Sequence, residues 1–156
     1  MPSSLGDEIS LRSPAASSQL AESQSLALRR CKVISPRTPP LSEAETEAWR
    51  QQIDGWRIVE VGGVRLIERA YPFGEFGQMI VLLRLLDRLT GRENHHPAFS
   101  YRKRVLIVRF TTYAINNLTI NDFIMAAKLN ARYRGLARRT WYQALADGVG
   151  PVEPDE

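Results

Sequence analysis

The sequence predicts an α+β fold in which helices cover one face of an antiparallel sheet. Three observations favour this class. Runs of β-branched and aromatic residues come in neighbouring pairs, apolar repeats with helical spacing separate these pairs, and Gly62-Gly63 offers a two-residue hairpin turn. Strands that pair with their neighbours and alternate with helices in groups are typical of α+β domains.

Local signals mark the first helix and the first hairpin. Ser42 followed by Glu45 forms a capping box, so the first helix is predicted to start there and to run to about Gln52. Residues 56–61 and 64–71 then have the composition of two strands, one on each side of the glycine pair. The sequence therefore predicts helix, strand, tight turn and returning strand in that order.

A second helix follows, because apolar residues repeat at i, i+3, i+4 and i+7. The repeat consists of Phe76, Met79, Ile80, Leu83 and Leu86. We expect this helix to end near Thr90-Gly91. Its apolar surface is wider than a single stripe, so more than one of its faces must be covered. We expect the sheet to cover one face and a neighbouring subunit to cover another.

Two more strands and a third helix complete the predicted domain. A short strand over residues 98–101 leads through a basic turn into residues 105–113, the clearest strand of the chain. Thr119 is predicted to cap the third helix, with Asp122 in its first turn, and the helix is predicted to end near Gly135. We expect one face of this helix to carry Phe123, Ala126, Ala127 and Asn130.

The two ends of the chain differ in composition from the middle. Residues 1–40 are rich in Ser and Pro and hold few large apolar side chains, so we expect a disordered extension. A short helix over residues 20–28 that binds a partner is the alternative. The folded domain is predicted over residues 41–135. Residues 136–156 are expected to add a short helix and an acidic tail.

Composition excludes several classes of protein. The chain has 156 residues and a formal net charge of +4, which is too mild to imply nucleic-acid binding by itself. Its arginines and lysines are expected to form a solvated face or to meet an acidic protein. The single cysteine, Cys31, allows no internal disulfide, which fits a reducing, cytoplasmic setting. No apolar run is long enough for a membrane span, and no secretory signal is expected.

The candidate site centres on the only two histidines, His95 and His96, which are adjacent and precede Pro97. Histidine can exchange a proton near neutral pH, so the pair suggests acid/base chemistry, although ordinary loop histidines have the same pattern. A metal site is not expected, because adjacent histidines rarely both bind one ion and no third histidine exists. Asp122 has two readings, as a helix cap or as a pocket residue, and Tyr113 is expected to pack at a strand end.

The order of these motifs resembles that of the pterin-4a-carbinolamine dehydratase family. The run Glu93-Asn94-His95-His96-Pro97, the strand after it, and the run from Leu118 to Phe123 carry the resemblance, which spans about residues 41–135. It implies a four-stranded antiparallel sheet with three helices on one face, as a homodimer or tetramer. It also implies a pterin ligand, with the 4a-hydroxyl leaving as water. The residues expected around the pterin are His95, His96, Tyr113 and Asp122.

Two departures from the family pattern shape the expected function. Tyr113 stands where the family has a third histidine or a tryptophan, and Gly91 stands where it usually has an acid. With the N-terminal extension, these departures resemble the dehydratase-like assembly factors of RuBisCO in α-carboxysomes. Our first hypothesis is therefore an assembly factor with a degraded site, cytoplasmic or carboxysome-associated, acting on RuBisCO subunits. An active dehydratase of 4a-hydroxytetrahydrobiopterin and a dimerisation or transcriptional cofactor are the alternatives. No cofactor is expected.

Overall fold

A computed structural model describes residues 25–137 and confirms the predicted α+β class. All neighbouring strands are antiparallel, and the sheet order is β1-β2-β4-β3. The short helix predicted near the C-terminus lies outside the described residues, as do residues 1–24. The elements are α1 Glu43–Arg50, β1 Arg57–Val61, β2 Val64–Pro72, α2 Phe76–Glu93, β3 Ala98–Arg102, β4 Val105–Phe110 and α3 Ile120–Ala137.

The predicted start of α1 and the predicted first turn are both confirmed. The Ser42 hydroxyl accepts a hydrogen bond from the Glu45 amide, and the Glu45 carboxylate accepts one from the Ser42 amide. Gly62 and Gly63 have φ values of 58° and 78°, the left-handed backbone that a two-residue hairpin requires. Glycine enters this region without the steric cost that a Cβ brings, so the turn fixes the register of β1 against β2.

The second hairpin makes the same turn without glycine. Lys103 and Arg104, between β3 and β4, have φ values of 48° and 63°. We expect Arg104→Gly to raise the free energy of unfolding by about 0.5–1 kcal/mol, because it removes a Cβ from left-handed backbone. Urea unfolding would measure this. Arg102→Gly is the matched control in the adjacent strand and should lower stability, so a gain at both positions would contradict the explanation.

The core lies between the sheet and the helices. The side chains of Leu106, Val108 and Phe110 alternate along β4 and are fully buried, as a half-buried strand requires. They belong to one apolar cluster with residues of α2 and α3. The predicted buried face of α3 is confirmed, since Phe123, Ala126, Ala127 and Asn130 are all buried. No helix among the described residues is long and apolar enough to cross a membrane.

The structure differs from the expectation of disorder at residues 25–40. Residues 25–28 form a helical turn, and Leu26 is only 1% exposed within the core cluster. The Lys128 ammonium on α3 donates to the Ala27 carbonyl oxygen at 2.8 Å. One buried leucine and hydrogen bonds to side chains of the domain hold this segment. The average composition of this Ser- and Pro-rich stretch predicts disorder, because a few isolated contacts hardly change an average.

Candidate active site

Three chain segments converge at one end of the α2 and α3 helices. α2 runs to Glu93, slightly beyond the predicted end, and Asn94 closes it in left-handed backbone with φ 51°. This C-terminal cap turns the chain sharply, so His95 follows the helix directly. The first turn of α3 supplies Asp122, and the residues just after β4 supply Thr112. Residues that are distant in sequence therefore meet in one polar cluster.

Asp122 is the centre of this cluster, and its side chain is 0% exposed. One carboxylate oxygen, Oδ2, accepts hydrogen bonds from the Thr112 hydroxyl and the Thr119 amide, both at 2.9 Å. The hydroxyls of Thr112 and Thr119 also lie 2.7 Å apart. The other oxygen, Oδ1, lies 2.6 Å from Nε2 of His95. Asp122 therefore both caps α3 and contacts His95, although it is not itself among the residues that line the cleft.

His95 is held firmly between a carboxylate and an aromatic ring. Its side chain is 11% exposed, and its ring stacks on Phe110 with centroids 6.2 Å apart. Because a carboxylate only accepts hydrogen bonds, we assign the proton on Nε2 as the donor to Asp122. Nδ1 is then the nitrogen that can exchange a proton. This arrangement matches the way a buried carboxylate fixes the tautomer of a histidine.

His96 differs from its neighbour in burial. Its side chain is exposed, and it lines a cleft that His95 also lines. The cleft has a volume of about 320 Å³, at the lower end of the range typical of small-molecule sites. Its walls come from four segments, namely residues 31–34, residues 93–96, residues 111–114 and Asn121. The structure therefore brings His95, His96 and Tyr113 to one cleft, with Asp122 directly behind His95.

Tyr113 does not pack at a strand end as expected. β4 ends at Phe110, and the chain then enters a turn in which Asn116 has φ 50°. Tyr113 lies in this turn, 58% exposed, and lines the cleft. The expectation of a strand to residue 113 was wrong because a β-branched pair, Thr111-Thr112, continues the strand composition past the true end. Instead, the Thr111 hydroxyl donates a hydrogen bond to the Arg65 carbonyl oxygen, and the Thr112 hydroxyl donates one to the Asp122 carboxylate.

Gly91, where the family usually has an acid, is not among the residues that line the cleft. Gly91 is exposed on α2, and a Cβ there would meet no atom within 4 Å. Glu93 lines the cleft instead, with its side chain only 4% exposed. Burial raises the pKa of this carboxyl, but hydrogen bonds from the Cys31 amide and the Lys128 ammonium outweigh burial and lower the pKa overall. Sequence reasoning missed Glu93 as a site residue, although it adjoins the histidine motif.

The described residues contain no group of three or more side chains suited to hold a metal ion. The polar side chains of the cleft lining are two imidazoles, three hydroxyls, two amides, one carboxylate, one ammonium and one thiol. Such a set can bind a neutral heterocycle by hydrogen bonds and can exchange protons with it.

Comparison with known proteins agrees with this geometry. A family model described as pterin 4 alpha carbinolamine dehydratase matches residues 39–132. A candidate pterin-4-alpha-carbinolamine dehydratase of Nitrosospira multiformis is 31% identical over 109 residues, which is 70% of this chain and 93% of the relative. A similarly named protein of Gloeobacter violaceus is 35% identical over 106 residues, or 68% of this chain and 91% of that one.

A solved structure from Brucella melitensis, titled transcriptional coactivator/pterin dehydratase, has the same fold. It superposes with a TM-score of 0.54 at 27% identity and covers 60% of this chain and 97% of its own. The histidine pair, the buried aspartate and the α+β sheet all lie within the residues that the family model matches. By sequence and fold, the chain belongs to the pterin-4a-carbinolamine dehydratase family.

Proposed function

We propose that the chain is a working dehydratase of 4a-hydroxytetrahydropterins. One observation carries the proposal: His95 is hydrogen-bonded to the fully buried Asp122 at the wall of a cleft that His96 also lines. An assembly factor with a degraded site was our first hypothesis, and it depended on Tyr113, Gly91 and the N-terminal extension. Gly91 is not among the residues that line the cleft, whereas Tyr113 is. The geometry therefore favours the active alternative.

The proposed reaction breaks the C4a–O bond of the substrate. A proton must reach the departing hydroxyl so that it leaves as water, and a ring nitrogen must lose a proton to give the dihydropterin. His96, exposed at the cleft, is proposed as the main acid/base group. His95 would orient the ring, Asp122 would hold His95 in one tautomer, and Tyr113 would donate a hydrogen bond.

Stopped-flow dehydration of freshly generated 4a-hydroxytetrahydropterin tests this proposal. The full-length chain should exceed the uncatalysed rate, and His96→Ala should lower the enzymatic rate by about 10²–10⁴-fold, the usual contribution of a general acid/base. Leu28→Ala, at an exposed position outside the cleft lining, is the control and should retain full activity. A wild-type rate equal to the background would refute the dehydratase function.

We also propose a role in protein assembly, because one exposed aromatic surface has the features of a protein-binding site. Phe76, Phe99 and Tyr101 are exposed, and the rings of Phe76 and Tyr101 contact edge to face, with centroids 6.1 Å apart. Phe99 and Tyr101 belong to β3, an edge strand of the sheet. Exposed aromatic side chains beside an open strand edge are typical of interaction surfaces. The occupant could be a second copy of the chain, a RuBisCO subunit or a transcription factor.

Analytical ultracentrifugation tests the first of these partners. We expect the full-length chain to sediment as a dimer or tetramer and Phe99→Glu to sediment as a smaller species, because a charge would be buried in the contact. Val61→Glu, at an exposed valine on the opposite edge strand, is the control. Equal masses for wild type and Phe99→Glu would exclude this surface from self-association. Adding each protein to RuBisCO subunits during assembly would test the second partner.

A further inference from the structure

The cleft has a wall that precedes the family domain in sequence. Residues 31–34, here called the arm, line the cleft, whereas the family model begins at residue 39. Leu26 anchors the preceding helical turn in the core, so the arm is fixed at its start. A segment outside the matched domain thus adds side chains to the site itself.

The arm is tied to both helices that position the site. The Cys31 amide donates to the Glu93 carboxylate at the end of α2, at 2.8 Å. The Asn121 side chain, in the first turn of α3, then pairs with the backbone of Lys32. Its oxygen accepts from the Lys32 amide and its nitrogen donates to the Lys32 carbonyl oxygen, each at 2.8 Å. Asn121 is buried and acts as a two-point clamp.

The volume left in the cleft distinguishes an arm that fills the cleft from an arm that only lines it. With the arm in place, about 320 Å³ remains, which is within the range of small-molecule sites and adequate for a bicyclic ring. A segment that filled the site would leave no such space. Past the clamp, Val33 is fully exposed and Ile34 is half-buried, so apolar side chains of the arm are free to meet a ligand.

We propose that the arm is a substrate-contacting wall, in which Val33 and Ile34 pack on a bound pterin ring and help to set the affinity of the site. This inference rests on the proposed dehydratase function. The ring of a pterin is flat, so its faces gain from apolar contact. Its edge requires hydrogen-bonding groups, which other residues of the cleft lining supply. Asn121, which also lines the cleft, is then the residue that holds the arm in position through its two hydrogen bonds to Lys32.

Binding of dihydrobiopterin to the full-length chain, measured by calorimetry, tests the wall. Val33→Ser removes apolar contact from an exposed side chain and should weaken binding by about 3- to 10-fold, as the loss of one or two methyl contacts predicts. Asn121→Ala should weaken binding similarly by releasing the clamp. Val61→Ser, at an exposed valine of β1 outside the cleft, is the matched control and should bind as wild type does.

Cys31 provides a second readout, because it is the only cysteine of the chain. Burial, with the nearby Glu93 carboxylate, raises the pKa of its thiol to about 12, so a disulfide reagent should react slowly. Saturating dihydrobiopterin should slow this reaction further by holding the arm in place. Asn121→Ala should accelerate it. Val33→Ser decides the question if Asn121→Ala proves unfolded by circular dichroism.

The outcomes separate the two proposals. If wild type binds dihydrobiopterin but the Val33→Ser variant binds equally well, the wall is wrong and the dehydratase function stands. Tighter binding by the Asn121→Ala variant, or a faster thiol reaction with ligand present, would show that the arm competes with the ligand, which also overturns the wall. If wild type does not bind dihydrobiopterin, the wall is wrong, and the dehydration rate alone decides whether the dehydratase function stands.

Discussion

Replacement of Asp122 by asparagine is expected to lower the free energy of unfolding by about 2–4 kcal/mol. The carboxylate is fully buried and accepts hydrogen bonds from His95, Thr112 and the Thr119 amide. Asparagine has the same shape as aspartate, but an NH₂ group replaces one of the two acceptor oxygens. At least one of the groups that donate to Asp122 would then face another hydrogen-bond donor. Thermal and urea unfolding of the full-length variant would measure the loss.

The same substitution should also reduce catalysis. Without the carboxylate, His95 loses the group that fixes its tautomer, and we expect turnover to fall by about 10²–10⁴-fold at a temperature where the variant is folded. Asp87→Asn, at an exposed carboxylate in the body of α2, is the control for stability and rate. Normal stability in the Asp122→Asn variant would mean that the hydrogen bonds around Asp122 are replaceable by water.

Replacement of Leu26 by alanine is expected to cost about 2–4 kcal/mol of stability, the usual effect of truncating a buried leucine. Leu26 is 1% exposed and lies in the core cluster, although it precedes the family domain. Leu28 is the matched control two residues on, since it is 84% exposed and Leu28→Ala should change stability by less than about 0.5 kcal/mol. Urea unfolding of both variants gives the comparison.

A second measurement tells global loss from local detachment. If Leu26→Ala releases only the segment before residue 41, trypsin should cut after Arg29 or Arg30 while the domain remains folded and its unfolding midpoint hardly moves. If the leucine belongs to the cooperative core, the midpoint should fall and cleavage should follow unfolding. Equal midpoints and equal cleavage for the Leu26 and Leu28 variants would contradict the burial of Leu26.

The periodic parts of the fold were predictable because each has a local physical cause. The capping box at Ser42, the glycine turn at residues 62–63 and the alternation along β4 each depend on neighbours in sequence. The order of the strands in the sheet is different, since β2 pairs with β4 rather than with β3. The resemblance implied a four-stranded antiparallel sheet but no strand order, and strand periodicity does not say which strand lies beside which.

The site was predictable only in part. The histidine pair and Asp122 were singled out because two short runs, residues 93–97 and 118–123, resemble a family pattern in their order. Asn121 and Thr112 act through contacts with residues 89 and 10 positions away, so no local pattern identifies them. The arm was missed for a further reason, because its anchoring needs one leucine and a few backbone hydrogen bonds, which composition does not reveal.

Asp122 both caps α3 and contacts His95, and this affects how activity should be inferred from the sequences of relatives. A residue that caps a helix and completes a buried hydrogen-bond cluster is retained by selection for folding, whether or not turnover is under selection. An aspartate at this position therefore says little about activity in a newly sequenced relative. His96 makes a better marker, because its side chain is exposed and its loss should leave the fold intact.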